Sequence, residues 1–182
     1  DKFVGFGSLH PSMTQKEIDE EICRMLEIGL LGIKLHPDFQ YFNIDEKSAM
    51  ELYEVVDNRM PILLHTGDKR FGYSTPSRLA NAAKHFTKQK FIAAHFGGYS
   101  EWDDSIKYLS ELENVYVDTC SSLAFITPQE AKTYIDAFTE DRVFFATDYP
   151  MWNPSDEIER INRIDLTETA REKIFYKNIC KF

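Results

Sequence analysis

The chain is poor in cysteine. Three occur in 182 residues, Cys23, Cys120 and Cys180, an odd number with no CxxC spacing. That excludes a disulfide-built scaffold and a thiolate knuckle, and it fits reduced thiols in the cytosol. Basic residues are outnumbered, 21 Lys and Arg against 30 Asp and Glu, for a net charge of −9. With no basic stripe to neutralise phosphates, a nucleic-acid backbone is excluded as partner. No apolar run approaches the ~20 residues of a membrane span, and nothing in the 182 residues reads as a signal peptide, so a cytoplasmic location is expected. Linkers, low-complexity stretches and long like-charge blocks are also missing. One domain over residues 1–182 is therefore expected, with 43% hydrophobic residues to furnish a sizeable core.

What is present is a recurring unit. "PILLHTGD" runs an apolar strand straight into His65 and turns at Gly67. "FVGFGSLHP" ends the same way on His10, "GIKLHP" on His36 and "FIAAHFGG" on His95. "NVYVDT" and "RVFFATDYP" end on Asp118 and Asp148. Successive strand ends lie 26, 29, 30, 23 and 30 residues apart. The runs lack clean polar alternation, as strands buried on both faces do.

The intervening segments read as helices. "TQKEIDEEICRMLEIG" opens on a Thr14-x-x-Glu17 capping box and places Ile18, Ile22 and Leu26 on one face. "TPQEAKTYIDAF" has Thr127 as cap, Pro128 at the first helical position, and Ala131, Ile135 and Phe138 as its stripe. "TPSRLANAAKHF" and "SEWDDSIKYLSEL" start similarly from Thr75 and Ser100. Strand and helix in alternation predict βα units on a parallel sheet, with the strands in sequence order and the helices outside. The fold class is α/β, a TIM-type (β/α)8 barrel of which about six units are present. A closed barrel takes about 250 residues.

In such a barrel the chemistry sits at the carboxyl ends of the strands. His65, His95 and Asp148 hold equivalent places there, and imidazole nitrogen and carboxylate oxygen are ordinary ligands for a zinc-like ion. If these three point inward, Leu63, Ala93 and Ala146 do so too. Each residue also has a plainer reading. A lone strand-end histidine is commonly a hydrogen-bonded structural residue. "HFGG" serves equally as a tight turn. Lys34 shares a strand face with His36 and is open to three readings: a substrate carboxylate's partner, a carbamate bridging two metals, or a buried ion pair. His10 either lines the pocket or anchors a loop. Asp118 is read as hydrogen-bonding support and His85 as surface. Lys69 and Arg70, in the loop after His65, suit an anionic substrate.

"PILLHTG", "AHFGG", "VDTCSS" and "ATDYP", in this order and spacing, resemble the amidohydrolase superfamily, in particular its amidohydrolase-related branch of aminocarboxymuconate-semialdehyde decarboxylase-like, metal-dependent hydrolases. "GIKLHP" and the tail "LTETAREKIFYKNICKF" resemble it as well, so the likeness covers the whole chain. It implies that the strands present are barrel strands three to eight. It makes His65 a metal ligand, Asp148 a metal ligand that takes the proton of the water, and His95 the residue that assists water or polarises substrate. His36, Lys34, His10 and Arg70 are then candidates for substrate binding. The implied cofactor is a divalent metal, zinc first and manganese second. The family's first strand carries a His-x-His ligand pair; no two histidines here stand one residue apart.

The implied activity is hydrolysis of a small, anionic substrate by a metal-activated water, with metal-dependent non-oxidative decarboxylation as the alternative. An inactive barrel fragment or a small-anion binding protein is a third reading. Six units cannot close an eight-stranded barrel, because strand number, tilt and stagger are linked. If the 182 residues are the entire polypeptide, the apolar edges are expected to pair with a second copy and the metal to bind poorly; if the chain is longer, a monomer suffices.

Overall fold

A computed structural model of the protein describes residues 3–182. Its strands are β1 Phe6–Gly7, β2 Gly32–Leu35, β3 Ile62–Leu64, β4 Phe91–Ala93, β5 Val115–Asp118 and β6 Val143–Phe144. They form one sheet in sequence order, and every adjacent pair is parallel. Between them run α1 Gln15–Glu27, α2 Pro37–Gln40, α3 Lys47–Val56, α4 Pro76–His85, α5 Trp102–Leu109 and α6 Pro128–Phe138. After β6 come α7 Pro154–Asn162, α8 Glu168–Glu172, a π turn at Lys173–Lys177 and α9 Asn178–Lys181. Among the described residues β1 pairs only with β2 and β6 only with β5, so the sheet is an arc of a barrel wall. Among the described residues no helix is long and apolar enough to cross a membrane.

The helix starts follow local chemistry. Thr14 and Thr127 both close full capping boxes, with Glu17 and Glu130 reaching back to the cap. Two expectations shift. α1 buries Ile18, Ile22 and Met25, whereas Leu26 is 46% exposed, so the buried stripe turns toward Met25. α5 is preceded by Glu101 rather than Ser100, and Ser100 itself sits in the left-handed region at φ 60°.

One sheet face packs on the helices. Ile33, Leu35, Ile62, Leu64, Phe91, Ala93, Val115, Val117 and Val143 join Ile22, Leu52, Leu79, Leu109 and Phe138 in one buried cluster. Each large side chain fully removed from water there contributes about 1.5–3 kcal/mol. The register aligns the opposite face as Lys34, Leu63, Ile92 and Tyr116. Tyr116 stacks on Phe144, and Phe182 packs edge-on against both rings.

This register corrects one expectation. Leu63 is aligned with Ile92, and Ala93 with Leu64, so Ala93 belongs to the helix-facing layer. By strict alternation His95 would follow Ala93 outward. It does not, because the strand ends and the backbone turns over through left-handed residues at His95, φ 63°, and Phe96, φ 51°.

Candidate active site

The loops leaving β3 and β4 are clamped together. Gly67, at φ 83°, bridges to Tyr99, and a Cβ at Gly67 would sit 2.4 Å from the Tyr99 backbone nitrogen. Only glycine permits both that backbone conformation and that approach. The clamp between the two loops thereby brings His65 and His95 side by side.

His95 is held by backbone and carbonyl groups. One oxygen of Asp118 accepts the backbone N–H of His95 at 3.0 Å and that of Cys120 at 3.1 Å. The His95 Nδ1 lies 3.0 Å from the Cys120 carbonyl oxygen, which can only accept. Nδ1 therefore carries the proton, and Nε2 is the acceptor in the neutral ring. Nε2 lies 2.9 Å from His65 Nδ1, which must then donate. The chain of donors leaves His65 Nε2 with a bare lone pair, buried and without a hydrogen-bond partner.

Around that lone pair stand two more groups. Asp38, 1% exposed, holds its Oδ2 at 3.5 Å from His65 Nε2 and accepts the Ser74 hydroxyl on the same oxygen. The His36 ring is sandwiched parallel between Phe39, at 3.9 Å, and His65, at 4.0 Å. Burial pushes His65 down to about 2, with His95, His36 and Lys34 adding repulsion. Burial and then Lys34 push His36 down to about 4. Both rings are neutral at physiological pH, the form in which imidazole ligates a metal. Burial raises the Asp38 carboxyl, against the lowering effect of the Ser74 hydroxyl. Desolvation lowers the Lys34 ammonium, against attraction from Asp118 and Asp148.

Asp148, also in the left-handed region at φ 56°, accepts the Ser121 hydroxyl at 2.7 Å, and Trp152 Nε1 donates to Ser121 at 3.0 Å. Among the described residues, potential ligand atoms group in two sets, each within 4.8 Å: His36, Asp38 and His65, and His95, Cys120 and Asp148. The structure thus brings His65, His95 and Asp148 to one end of the sheet, linked through the His65–His95 contact, with His65 and Asp148 in different sets. The Cys120 thiol, 3.1 Å from His95 Nδ1, is raised well above its usual range by burial, so it is a neutral wall rather than a nucleophile.

Other candidates fall outside this centre. The His10 Nδ1 accepts the Ser12 backbone N–H at 3.1 Å, which leaves Nε2 to donate to the Gln40 carbonyl at 3.0 Å. Both ring nitrogens of His10 are spent on loop anchoring. Arg70 is exposed and forks onto Asp68 at 2.9 and 2.6 Å, so its charge is already matched. Lys69 lines a cavity of about 430 Å³ with Glu101, Asp103, Asp104 and Glu130, a surround that repels anions. His85 is exposed at the end of α4.

Sequence reasoning missed Asp38, Ser74 and Ser121. Asp38 follows His36 by two residues in "HPD" and Ser121 stands inside "VDTCSS", so proximity to the quoted motifs was the available signal. Ser74 had none, since it reaches Asp38 across 36 residues of chain.

The sequence model of the amidohydrolase family matches residues 1–182. Among functionally curated proteins, none matches this sequence. Among solved structures, the chain is similar to an uncharacterised TIM-barrel protein from Bordetella bronchiseptica, with TM-score 0.85 and 22% identity, covering 100% of this chain and 66% of that one. It is similar to a 2,6-dihydroxybenzoate decarboxylase complexed with 2,6-dihydroxybenzoate, with TM-score 0.79, 16% identity and coverage of 100% and 70%. It is also similar to 5-carboxyvanillate decarboxylase from Novosphingobium aromaticivorans, complexed with manganese and 4-hydroxy-3-methoxy-5-nitrobenzoic acid, with TM-score 0.78, 19% identity and coverage of 100% and 64%. The chain thus spans about two thirds of the length of these proteins, and the arc of six strands is part of a TIM-type barrel.

Proposed function

Since this chain belongs to the amidohydrolase family, we propose that it carries the greater part of a divalent-metal-dependent site that cleaves a bond at the carboxyl carbon of a small carboxylic acid, with non-oxidative decarboxylation of an aromatic acid as the first reading. The observation that carries it is the buried, unpartnered Nε2 of neutral His65, aimed by a hydrogen-bonded chain through His95 to the Cys120 carbonyl. His65 and Asp148 are assigned to the metal. The bound metal would supply positive charge that polarises the carboxylate and neutralises charge built up as the bond breaks.

The residues around it favour a flat, anionic substrate. Tyr99 packs edge-on to His95, Phe125 to Tyr99 and Trp152 to Phe125, a wall of rings at the mouth. Lys34, on the sheet face opposite the helix layer, supplies a cation for the carboxylate, and His36 is near enough to feel its charge. His10 and Arg70 are left out of this assignment because their own partners hold them. Two solved structures of like fold bear the names of aromatic-acid decarboxylases. Sequence reasoning set hydrolysis first; the ring-lined mouth and Lys34 move decarboxylation ahead of it.

In decarboxylation the bond between ring and carboxyl carbon breaks, carbon dioxide leaves, and the electron pair left on the ring carbon takes a proton. Asp148, held by Ser121 and open to solvent, is the group placed to give that proton and to be reprotonated afterwards. His95 donates no proton from Nδ1, which the Cys120 carbonyl holds; its part is to orient His65. Hydrolysis remains the second reading because the same Asp148 carboxylate, ionised, would accept a proton from water.

The test is incubation of the manganese- or zinc-supplemented protein with hydroxylated benzoates in deuterium oxide. Release of carbon dioxide with one deuterium on the vacated ring carbon is expected. Cleavage of esters or lactones without carbon dioxide release would overturn decarboxylation in favour of hydrolysis.

A further inference from the structure

We propose that Asp38, in α2, is a further ligand of the metal held by His65, so that the Asp38–His65 pair, with His36 as adjoining wall, supplies the side of the cation site that follows β2 and β3. The inference rests on the reading that His65 holds a metal, and it adds a carboxylate that neither the motif reading nor the fold assigns.

The first argument is distance. Asp38 Oδ2 and His65 Nε2 stand 3.5 Å apart. That exceeds the ~3.2 Å limit of a sound N–H···O hydrogen bond. It is close to the edge of a zinc tetrahedron, about 3.4 Å for two ligands each about 2.0–2.2 Å from the ion. The pair is spaced as two ligands of one ion are, and too widely for an acid–imidazole hydrogen bond.

The second argument is the number of buried atoms left without partners. His65 Nε2, Asp38 Oδ1 and His36 Nδ1 are all buried and unpartnered, and they belong to the same set of three residues. Leaving one such atom unpaired costs about 1–3 kcal/mol, and the neighbouring His65 and Asp38 groups call for a shared partner. The carboxylate and the neutral His65 ring are both lone-pair donors, and a cation is a partner that satisfies the two together.

The third argument is rigidity. His65 cannot rotate to use its other nitrogen without breaking the 2.9 Å contact to His95, and Asp38 is pinned by Ser74. These outer contacts orient ligands in the way metal sites require. His36 differs. Its ring is parallel to His65 within 10°, so the in-plane lone pairs of the two rings do not meet at one point. It can join the ion only by swinging out of the stack, past Phe39, which is 69% exposed.

The experiment measures cobalt(II) and zinc(II) affinity of the whole 182-residue chain by visible absorption and competition, for the native protein, Asp38→Asn and His65→Gln, with circular dichroism to confirm folding. The expected result is measurable binding by the native protein, loss in His65→Gln, and a rise in Kd of more than about a hundredfold in Asp38→Asn, beyond what outer contacts alone deliver. Native affinity in Asp38→Asn, with binding lost in His65→Gln, would overturn this inference and leave the metal reading standing. A native protein that binds neither ion would overturn both. Should Asp38→Asn fail to fold, anomalous scattering from zinc-loaded native crystals decides: an ion about 2.0–2.2 Å from an Asp38 oxygen supports the proposal, and one bound to His65 but away from Asp38 overturns it.

Discussion

His10 and His65 occupy the same kind of place in the sequence, each closing an apolar strand, and they end in opposite states. His10 spends both ring nitrogens within its surroundings, accepting from Ser12 and donating to the Gln40 carbonyl. His65 spends one, on His95, and holds the other bare against Asp38. A ring whose two nitrogens are satisfied anchors a loop. A ring with one nitrogen satisfied and one left beside other ligand atoms is what the proposed metal site draws on. The difference comes from the partner each ring finds: a carbonyl and a backbone N–H for His10, a second imidazole already committed to a carbonyl for His65.

The strongest way to break this comparison is His65→Ala. It is expected to abolish metal retention and to lower kcat/KM at least about a thousandfold, by analogy with the loss of proton-transfer groups and of the ion's charge. Metal content by mass spectrometry after dialysis checks the first half; a protein that keeps its metal would erase the distinction from His10.

Next in size is Gly67→Ala, which attacks the clamp that sets His65 beside His95. The new Cβ would press on the backbone of Tyr99 and Gly98 at 2.4 and 2.5 Å, in a left-handed conformation. A stability loss of about 3–5 kcal/mol in urea unfolding is expected. A loss under about 1 kcal/mol would show that the two loops separate without cost.

Acid sharpens the comparison further. In metal-free protein the folded-state values of His65 and His36 lie at about 2 and about 4, below their ordinary 6.5. The unfolded chain therefore binds more protons below pH 6.5, and stability falls as pH drops from there toward 4. Thermal melts between pH 7 and pH 4.5 should show a falling Tm, with a shallower fall in His65→Asn. A flat profile would mean that the rings are not desolvated as the structure places them.

The smallest effect is expected for His10→Ala. Losing two hydrogen bonds at a half-buried loop should cost about 1 kcal/mol, read in the same urea titration, while cobalt affinity stays within about twofold. A tenfold loss of affinity would bring His10 back into the site.

The alternation of apolar runs and capped helices was legible because it is written in local chemistry. Thr14, Thr127 and Pro128 act on the turn that follows them, and Ile18 or Phe138 need only their own helix period to be recognised. Parallel order followed from the ~30-residue spacing, since a helix must return the chain to the same end of the sheet before the next strand. His65, His95 and Asp148 were legible as strand-end residues for the same reason. Ala93 was misplaced because strand parity was carried past the point where the backbone turned over at His95, and no residue type announces a left-handed histidine.

By itself, then, the sequence determined the units: where strands and helices begin, their order, and which polar side chains stand at strand ends. Those are matters of period and capping, settled within a few residues. Tertiary structure alone decided what each strand-end group meets. Asp38 and Ser74 join across 36 residues, Asp118 supports His95 across 23, and the Gly67–Tyr99 bridge sets one imidazole against another. A ring nitrogen is left bare or satisfied by atoms that arrive from other loops, and that outcome exists only once the strands are laid side by side.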